Sequence, residues 1–441
     1  MPTINDDRIL GDSDEVVLLD ERQGHPRTVS ILFYCVKKLY HELIMSARES
    51  GKRTLDPGVS GPSSNKVLKT ATVETDDEVF RDSAFLSKEA MIALENTAAA
   101  IATSGKGITA CDESPGTIGK RFEQVGIENT PENRRLYRQM LFTAPGCENY
   151  LSAAILDPET LYQKSDDGIL FPKLLSQRGI VPGVKPHLKV YTLPGTNGDT
   201  VMQGLDSLAE RCRQYYQAGA RFAKWRSPLV IDVANGRPTN LAIHANMHDL
   251  ARYALICQSE GLVPIVEPDI SLTGSHTLED AVRINIRVQS DLFQAMRDHG
   301  VYLPGTTLKP NMINPGKDCP TSYSVAQIAQ ANVYVLQNTF PVAMKGANYL
   351  SGGQTLAQAA ARLSAINQTG QTTPWNLSFS WSQALQMPLL ELCKGSEGVL
   401  KLDQMAKLYV EELQVASAAA KGEYVWKKGD GDHEGKNLGS L

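Results

Sequence analysis

Eight short apolar runs separated by longer amphipathic segments constrain this chain more than any other feature. The runs are GITACD (107–112), SAAIL (152–156), VPGVK (181–185), RFAKWR (221–226), LVPIVEPD (262–269), TTLKPNM (306–312), ANYLSGG (347–353) and NLSFSWS (376–382). Most starts lie about 30 to 45 residues apart, enough for a strand, a helix and two loops, which is the rhythm of a parallel sheet whose crossovers are helical. An open doubly wound sheet has the same rhythm, so the count of eight decides for a closed (β/α)₈ TIM barrel.

The intervening segments carry helical patterns. Ser87 opens one in which Met91, Leu94, Ala98 and Ile101 share a face. In TLEDAVRINIRVQSDLFQAMRDHG (277–300), Thr277 and Asp280 form a capping pair, Val282, Ile286, Phe293 and Met296 share a face, and Gly300 ends the helix. Residues 1–85 are polar and charge-mixed, with a short helix expected over Leu32 to Ser46 and a turn-rich stretch at 58–65. They are expected to form a largely irregular N-terminal extension. The barrel domain is expected over 86–420, and the glycine- and charge-rich 421–441 reads as a flexible C-terminal tail.

Composition removes several classes of function. A net charge of −5 provides no basic field for nucleic acid. VSILFYCV, the longest apolar run near the start, falls far short of the roughly 20 residues that span a bilayer, so no membrane partner is expected. The acidic opening (Asp6, Asp7, Asp12, Asp14, Glu15) is unlike a basic targeting peptide. Seven scattered cysteines without a CxxC pair suit reduced, buried thiols in a cytoplasmic setting, and a plastid location stays open. His244 and His248 have a metal-compatible spacing but lack a nearby third ligand and read as a solvated helix face, so no metal is expected. There is no GxGxxG and no P-loop, and no cofactor is expected.

Polar residues interrupt the apolar runs at one consistent place. Asp112, Lys185, Lys224, Arg226, Glu267, Asp269, Lys309 and Ser351 fall at or just after the C-terminal ends of predicted strands, which converge on one mouth of a barrel. Buried charges are costly unless paired or used. Lysines and an arginine beside carboxylates point to an anionic substrate, and Lys224 beside Lys309 points to an amine whose pKa is lowered by a neighbouring cation. LSGG (350–353) allows close backbone approach where barrels place phosphate sites.

GKGITACDESPGTIGKRF (105–122), ENTPENRRLYRQMLFTA (128–144), ETLYQKSDDG (159–168), FAKWR (222–226), ARYALICQSEGLVPIVEPDI (251–270), TLKPNM (307–312), YLSGGQ (349–354) and PWNLSFSWSQALQ (374–386) together resemble class I, Schiff-base-forming fructose-bisphosphate aldolases over residues 86–425. The resemblance implies that Lys309 forms the Schiff base, Glu267 shuttles protons, Lys224 tunes the pair and Asp112 takes the C4 hydroxyl proton. It further implies a C6-phosphate site at Lys185, Ser114, Thr117 and Arg121, a C1-phosphate site at Ser351 and Gly352, and Arg226 lining the pocket. It implies a sugar bisphosphate substrate, a homotetramer and, for some members, cytoskeletal partners.

Three departures stand out. Gln383 occupies the place of an arginine that contacts substrate phosphate, and Asp269 replaces a glutamate and is expected to bond Lys224. The family's C-terminal tyrosine has no counterpart, the last tyrosine being Tyr424. An active aldolase is therefore weighed against a catalytically weakened paralogue kept for binding, and against a pyridoxal-phosphate barrel enzyme using Lys309. The preferred sugar, among fructose 1,6-bisphosphate, fructose 1-phosphate and sedoheptulose 1,7-bisphosphate, is left open.

Overall fold

A computed structural model describes residues 85–369 and 373–426. The expected helix and turns of residues 1–84 and the tail beyond 426 lie outside the described residues.

Eight parallel strands close into a barrel: β1 (Gly107–Cys111), β2 (Leu151–Leu156), β3 (Val181–Val184), β6 (Phe222–Val230), β7 (Val263–Ser271), β8 (Thr307–Leu308), β9 (Gly346–Tyr349) and β10 (Asn376–Trp381). Closure comes from β1 pairing with β10, Ile108 opposite Ser380 and Thr109 opposite Trp381. Each expected strand is present, with altered bounds. β6 and β7 run on as a pair to Val230 and Ser271. β8 stops at Leu308, since Pro310 has no N–H to continue a ladder, so Lys309 stands just past its strand. A hairpin of β4 (Val190–Thr192) with β5 (Thr200–Met202) was not anticipated from the sequence, because strands of three residues carry too little alternation to register.

The alternation of side chains across the strands sorts the core. Ile108, Ala110, Ala153, Ile155, Phe222, Val263 and Ile265 point into the barrel and pack as one cluster with Leu86 and with Leu94, Ala98 and Ile101 of the helix Lys88–Ile101, which plugs one end. Burying a leucine or isoleucine side chain there contributes about 1.5–3 kcal/mol. Positions of the opposite parity, such as Ala154, Leu156, Ala223, Trp225 and Val266, face the surrounding helices. Gly183 on β3 is required by this packing, because a Cβ would meet the Phe222 ring at 2.3 Å.

The helix signals hold with one correction. Ser87 Oγ accepts from the Ala90 N–H, and Thr277 with Asp280 forms a capping box opening the helix Leu278–Asp298. The inward face of that helix is Ala281, Ile284, Val288, Leu292, Phe293 and Met296, while Val282 and Ile286 lie at its margin, half-buried. The expected face was rotated towards solvent, since its spacing fits a slightly different helical stripe. Met91 is likewise only partly buried.

Candidate active site

Following the inward parity of each strand towards its C-terminal end passes from apolar to charged residues at one level. After Ile108 and Ala110 comes Asp112; after Ala153 and Ile155, Asp157; after Gly183, Lys185; after Phe222, Lys224; after Ile265, Glu267. Lys309 joins them from β8, its backbone N–H bonded to the Val266 carbonyl at 2.9 Å. The strand period therefore gathers these charges above the apolar layers.

Lys224 lies at the centre, its Nζ 2.7 Å from Asp112 Oδ2 and 3.2 Å from Glu267 Oε2. Lys309 Nζ is 3.5 Å from the same Glu267 oxygen. Lys185 Nζ donates to the Asp112 carbonyl at 2.7 Å and pairs with Asp157 Oδ2 at 3.0 Å. Lys224, Lys309, Glu267 and Asp112 are all buried.

Burial separates the two central lysines electrostatically. Burial pushes the Lys309 ammonium down, Glu267 opposes this, and Lys224 lowers it further, so the net shift is downward. Burial also acts against charge on Lys224, but Asp112 and Glu267 more than offset it and hold its pKa above the usual lysine value. The amine under pressure is Lys309, as expected, although the leading cause is burial and not the neighbouring cation. Burial would raise the Asp112 carboxyl, yet Lys224, Lys309 and Lys185 hold it well below the usual carboxylate range.

Every site residue expected from the sequence lines one cavity of about 460 Å³. Ser114 caps the helix Pro115–Gln124, accepting from the Thr117 N–H, and Arg121 follows one turn on. A helix N-terminus with two hydroxyls and a guanidinium suits an anion. Arg121 Nη1 is held by Glu113 Oε1 at 3.0 Å and Ser382 Oγ at 3.1 Å. Across the mouth, Ser351 is buried, and Gly352 (φ 54°) and Gly353 (φ 82°) follow in the left-handed region that glycine adopts without penalty. Gln383 opens the helix Gln383–Glu391 at the cavity rim.

One expected contact is corrected. Asp269 pairs with Arg226 and not with Lys224. Lys224 stands opposite Ile265, whereas Asp269 stands opposite Pro228, too far along the strands for Lys224 and diagonal to Arg226. Three residues were not singled out from the sequence. Asp157 could have been found as the next inward position of β2. Glu113, which also pairs with Arg138 at 2.9 Å, carries no such signal, and His187, which lines the cavity, keeps the parity of Lys185 but lies three residues beyond β3.

The remaining motifs have structural partners. His244 Nδ1 lies 2.9 Å from Asp291 Oδ2, and the His248 ring packs edge-on against His299. Cys111, Cys147, Cys212, Cys257 and Cys393 are free thiols and buried, Cys319 is half-buried, and Cys35 lies outside the described residues. A second cavity of about 490 Å³, between Ser324, Ala361 and Trp426, gathers no charged side chains. Among the described residues no helix is long and apolar enough to cross a membrane.

A closed barrel that brings a buried lysine, its carboxylate neighbour and two anion-suited rims to one mouth is suited to amine chemistry on an anionic carbonyl compound. The chain belongs to the class I fructose-bisphosphate aldolase family, whose sequence model, "Fructose-bisphosphate aldolase class-I", matches residues 93–439. It is 46% identical over 333 residues to the protein named fructose-bisphosphate aldolase 4, cytosolic, of Arabidopsis thaliana, covering 76% of this chain and 83% of that one. It is 46% identical over 336 residues to fructose-bisphosphate aldolase of Dictyostelium discoideum, covering 76% and 93%. Among solved structures, fructose-bisphosphate aldolase from Plasmodium falciparum, in complex with TRAP and a small-molecule inhibitor, superimposes with a TM-score of 0.75 at 40% identity, covering 79% of this chain and all of that one.

Proposed function

We propose that this chain cleaves fructose 1,6-bisphosphate reversibly to dihydroxyacetone phosphate and glyceraldehyde 3-phosphate, in glycolysis and gluconeogenesis, through a Schiff base on Lys309. The observation that carries this is the buried Lys309 amine 3.5 Å from Glu267, with Lys224 linking Glu267 to Asp112. Burial favours the neutral amine that attacks the ketone. Glu267 then supplies the proton with which the carbinolamine hydroxyl leaves as water. Asp112, kept ionised by three lysines, takes the C4 hydroxyl proton as the C3–C4 bond breaks, and the protonated imine receives the electron pair. In this reading the phosphates lie at Lys185, Ser114, Thr117 and Arg121 on one side and at Ser351, Gly352 and Gln383 on the other, with Arg226 and Asp269 at the rim. The imine is the electron sink, so the chemistry calls on no metal or cofactor. Initial rates with fructose 1,6-bisphosphate, fructose 1-phosphate and sedoheptulose 1,7-bisphosphate test the assignment, and turnover of the first is expected.

One observation favours a second reading, a weakened paralogue kept for binding, for example to cytoskeletal proteins: the amide of Gln383 brings no charge to the rim where phosphate is placed. A charge-assisted bond to phosphate contributes about 1.5–3 kcal/mol, or about 10- to 150-fold in affinity. The N-terminus of the helix that Gln383 opens offsets part of that loss. Gln383→Arg is therefore expected to lower KM for fructose 1,6-bisphosphate by about tenfold, with less effect on a substrate lacking that phosphate. An unchanged KM would reject the phosphate role of this position, and activity confined to the arginine variant would favour the binding paralogue.

Family membership supports a homotetramer, which sedimentation measures, and relatives named cytosolic support a cytoplasmic location. The helices Lys88–Ile101 and Leu402–Ala420, at the two ends of the described barrel, support a domain over 86–420 between an extension and a tail.

A further inference from the structure

Among the polar side chains of the cavity, a histidine has no role in the chemistry derived above. His187 lies just beyond β3, in the segment that begins with Lys185, and lines the cavity beside Asp112, Lys185 and Lys224. Its ring packs edge-on against Trp225, centroids 5.9 Å apart, and Trp225 sits between Lys224 and Arg226 on β6. Both ring nitrogens are buried, and neither meets a hydrogen-bond partner among the described residues. Leaving buried polar atoms unpaired is costly, so such a group at a ligand cavity marks a contact that a ligand completes.

The surroundings select the ligand group. Lys224, Lys185 and Arg226 act against a positive charge on the ring and Asp112 favours one, while burial, the largest influence, also disfavours it. The imidazole is therefore neutral and offers one N–H donor and one bare nitrogen acceptor. A phosphate oxygen presents no hydrogen to that bare nitrogen, and the cations already serve phosphate. A sugar hydroxyl both donates and accepts.

The barrel order selects the part of the sugar. β3 is separated from β8, which carries Lys309, by β6 and β7, and it stands across the barrel from the Ser351–Gly352 loop after β9. The half of the substrate that stays bonded to Lys309 lies towards that loop, and the half that is released lies towards Lys185.

We propose that His187 is a substrate-binding residue, hydrogen-bonding a hydroxyl of the aldehyde-forming half of the sugar. This rests on the aldolase reading and adds to it a residue that discriminates the polyol itself from its phosphates.

The test compares the unaltered protein with His187→Phe, which keeps a ring against Trp225, and His187→Gln, which keeps a donor and an acceptor. His187→Phe is expected to raise KM for fructose 1,6-bisphosphate roughly three- to tenfold, the range for a lost neutral hydrogen bond, while borohydride trapping of dihydroxyacetone phosphate on Lys309 is unchanged, because that molecule does not reach β3. His187→Gln is expected to recover most of the loss. An unchanged KM in the phenylalanine variant would overturn the proposal, showing that a buried water shared with the orphaned Trp225 indole N–H satisfies the ring. An equal fall in trapping and cleavage would overturn it too, showing that His187 only holds the pocket's shape, and so would failure of glutamine to rescue. If the unaltered protein forms no adduct at all, the aldolase reading itself fails and this inference with it.

Discussion

Lys309→Met is expected to lower the rate of fructose 1,6-bisphosphate cleavage by about 10⁵-fold, a loss of the size seen when an enzyme's covalent nucleophile is removed. The thioether fills most of the space of the lysine stem but cannot form an imine, so no electron sink remains for the C3–C4 bond. The size of the effect follows from the surroundings of Lys309. Of the other lysines that line the mouth among the described residues, Lys224 is held charged by Asp112 and Glu267, and Lys185 is fixed between Asp157 and the Asp112 carbonyl. A substitute nucleophile is therefore not at hand. A drop of less than about tenfold, measured with the purified variant in a coupled assay, would place the covalent chemistry elsewhere.

Asp112→Asn is expected to reduce cleavage by about 10² to 10⁴-fold, the usual contribution of a general base, while adduct formation on Lys309 falls much less. The asparagine keeps the shape of Asp112 but cannot accept the C4 proton. It also removes one of the two carboxylates that hold Lys224 charged, so a modest change in imine formation accompanies the loss. The two steps separate by experiment: single-turnover cleavage reports proton abstraction, and borohydride trapping with dihydroxyacetone phosphate reports the imine. Equal losses in both would mean that Asp112 organises the pocket through its ion pair with Lys224 and does not act as the base.

Much of the site is legible in the sequence because strand alternation converts position into direction. A charge at the end of an apolar run, in phase with inward residues, has to enter the barrel mouth. Asp112, Lys185, Lys224, Glu267 and Lys309 are read in this way. Asp157 obeys the same rule, two positions after Ile155, and was overlooked only because the apolar run ends before it. Register is harder to read than direction. Asp269 has the right parity for the mouth, but only the pairing of β6 with β7 shows that it stands opposite Pro228, diagonal to Arg226 and beyond the reach of Lys224. Glu113 is less accessible still, since it falls off the inward parity and its partners come from distant segments, while His187 keeps the parity of Gly183 and Lys185 but lies beyond the end of β3. The hairpin β4–β5 escaped for want of length, and the capping box at Thr277 was readable because it is wholly local.

The account rests most directly on a covalent bond between Lys309 and substrate. Sodium borohydride added to the protein with dihydroxyacetone phosphate should reduce the imine to a stable secondary amine, and peptide mapping should place the whole of the adduct's mass on Lys309. An adduct mapped to Lys224 or Lys185, or turnover of fructose 1,6-bisphosphate with no adduct trapped, would contradict it.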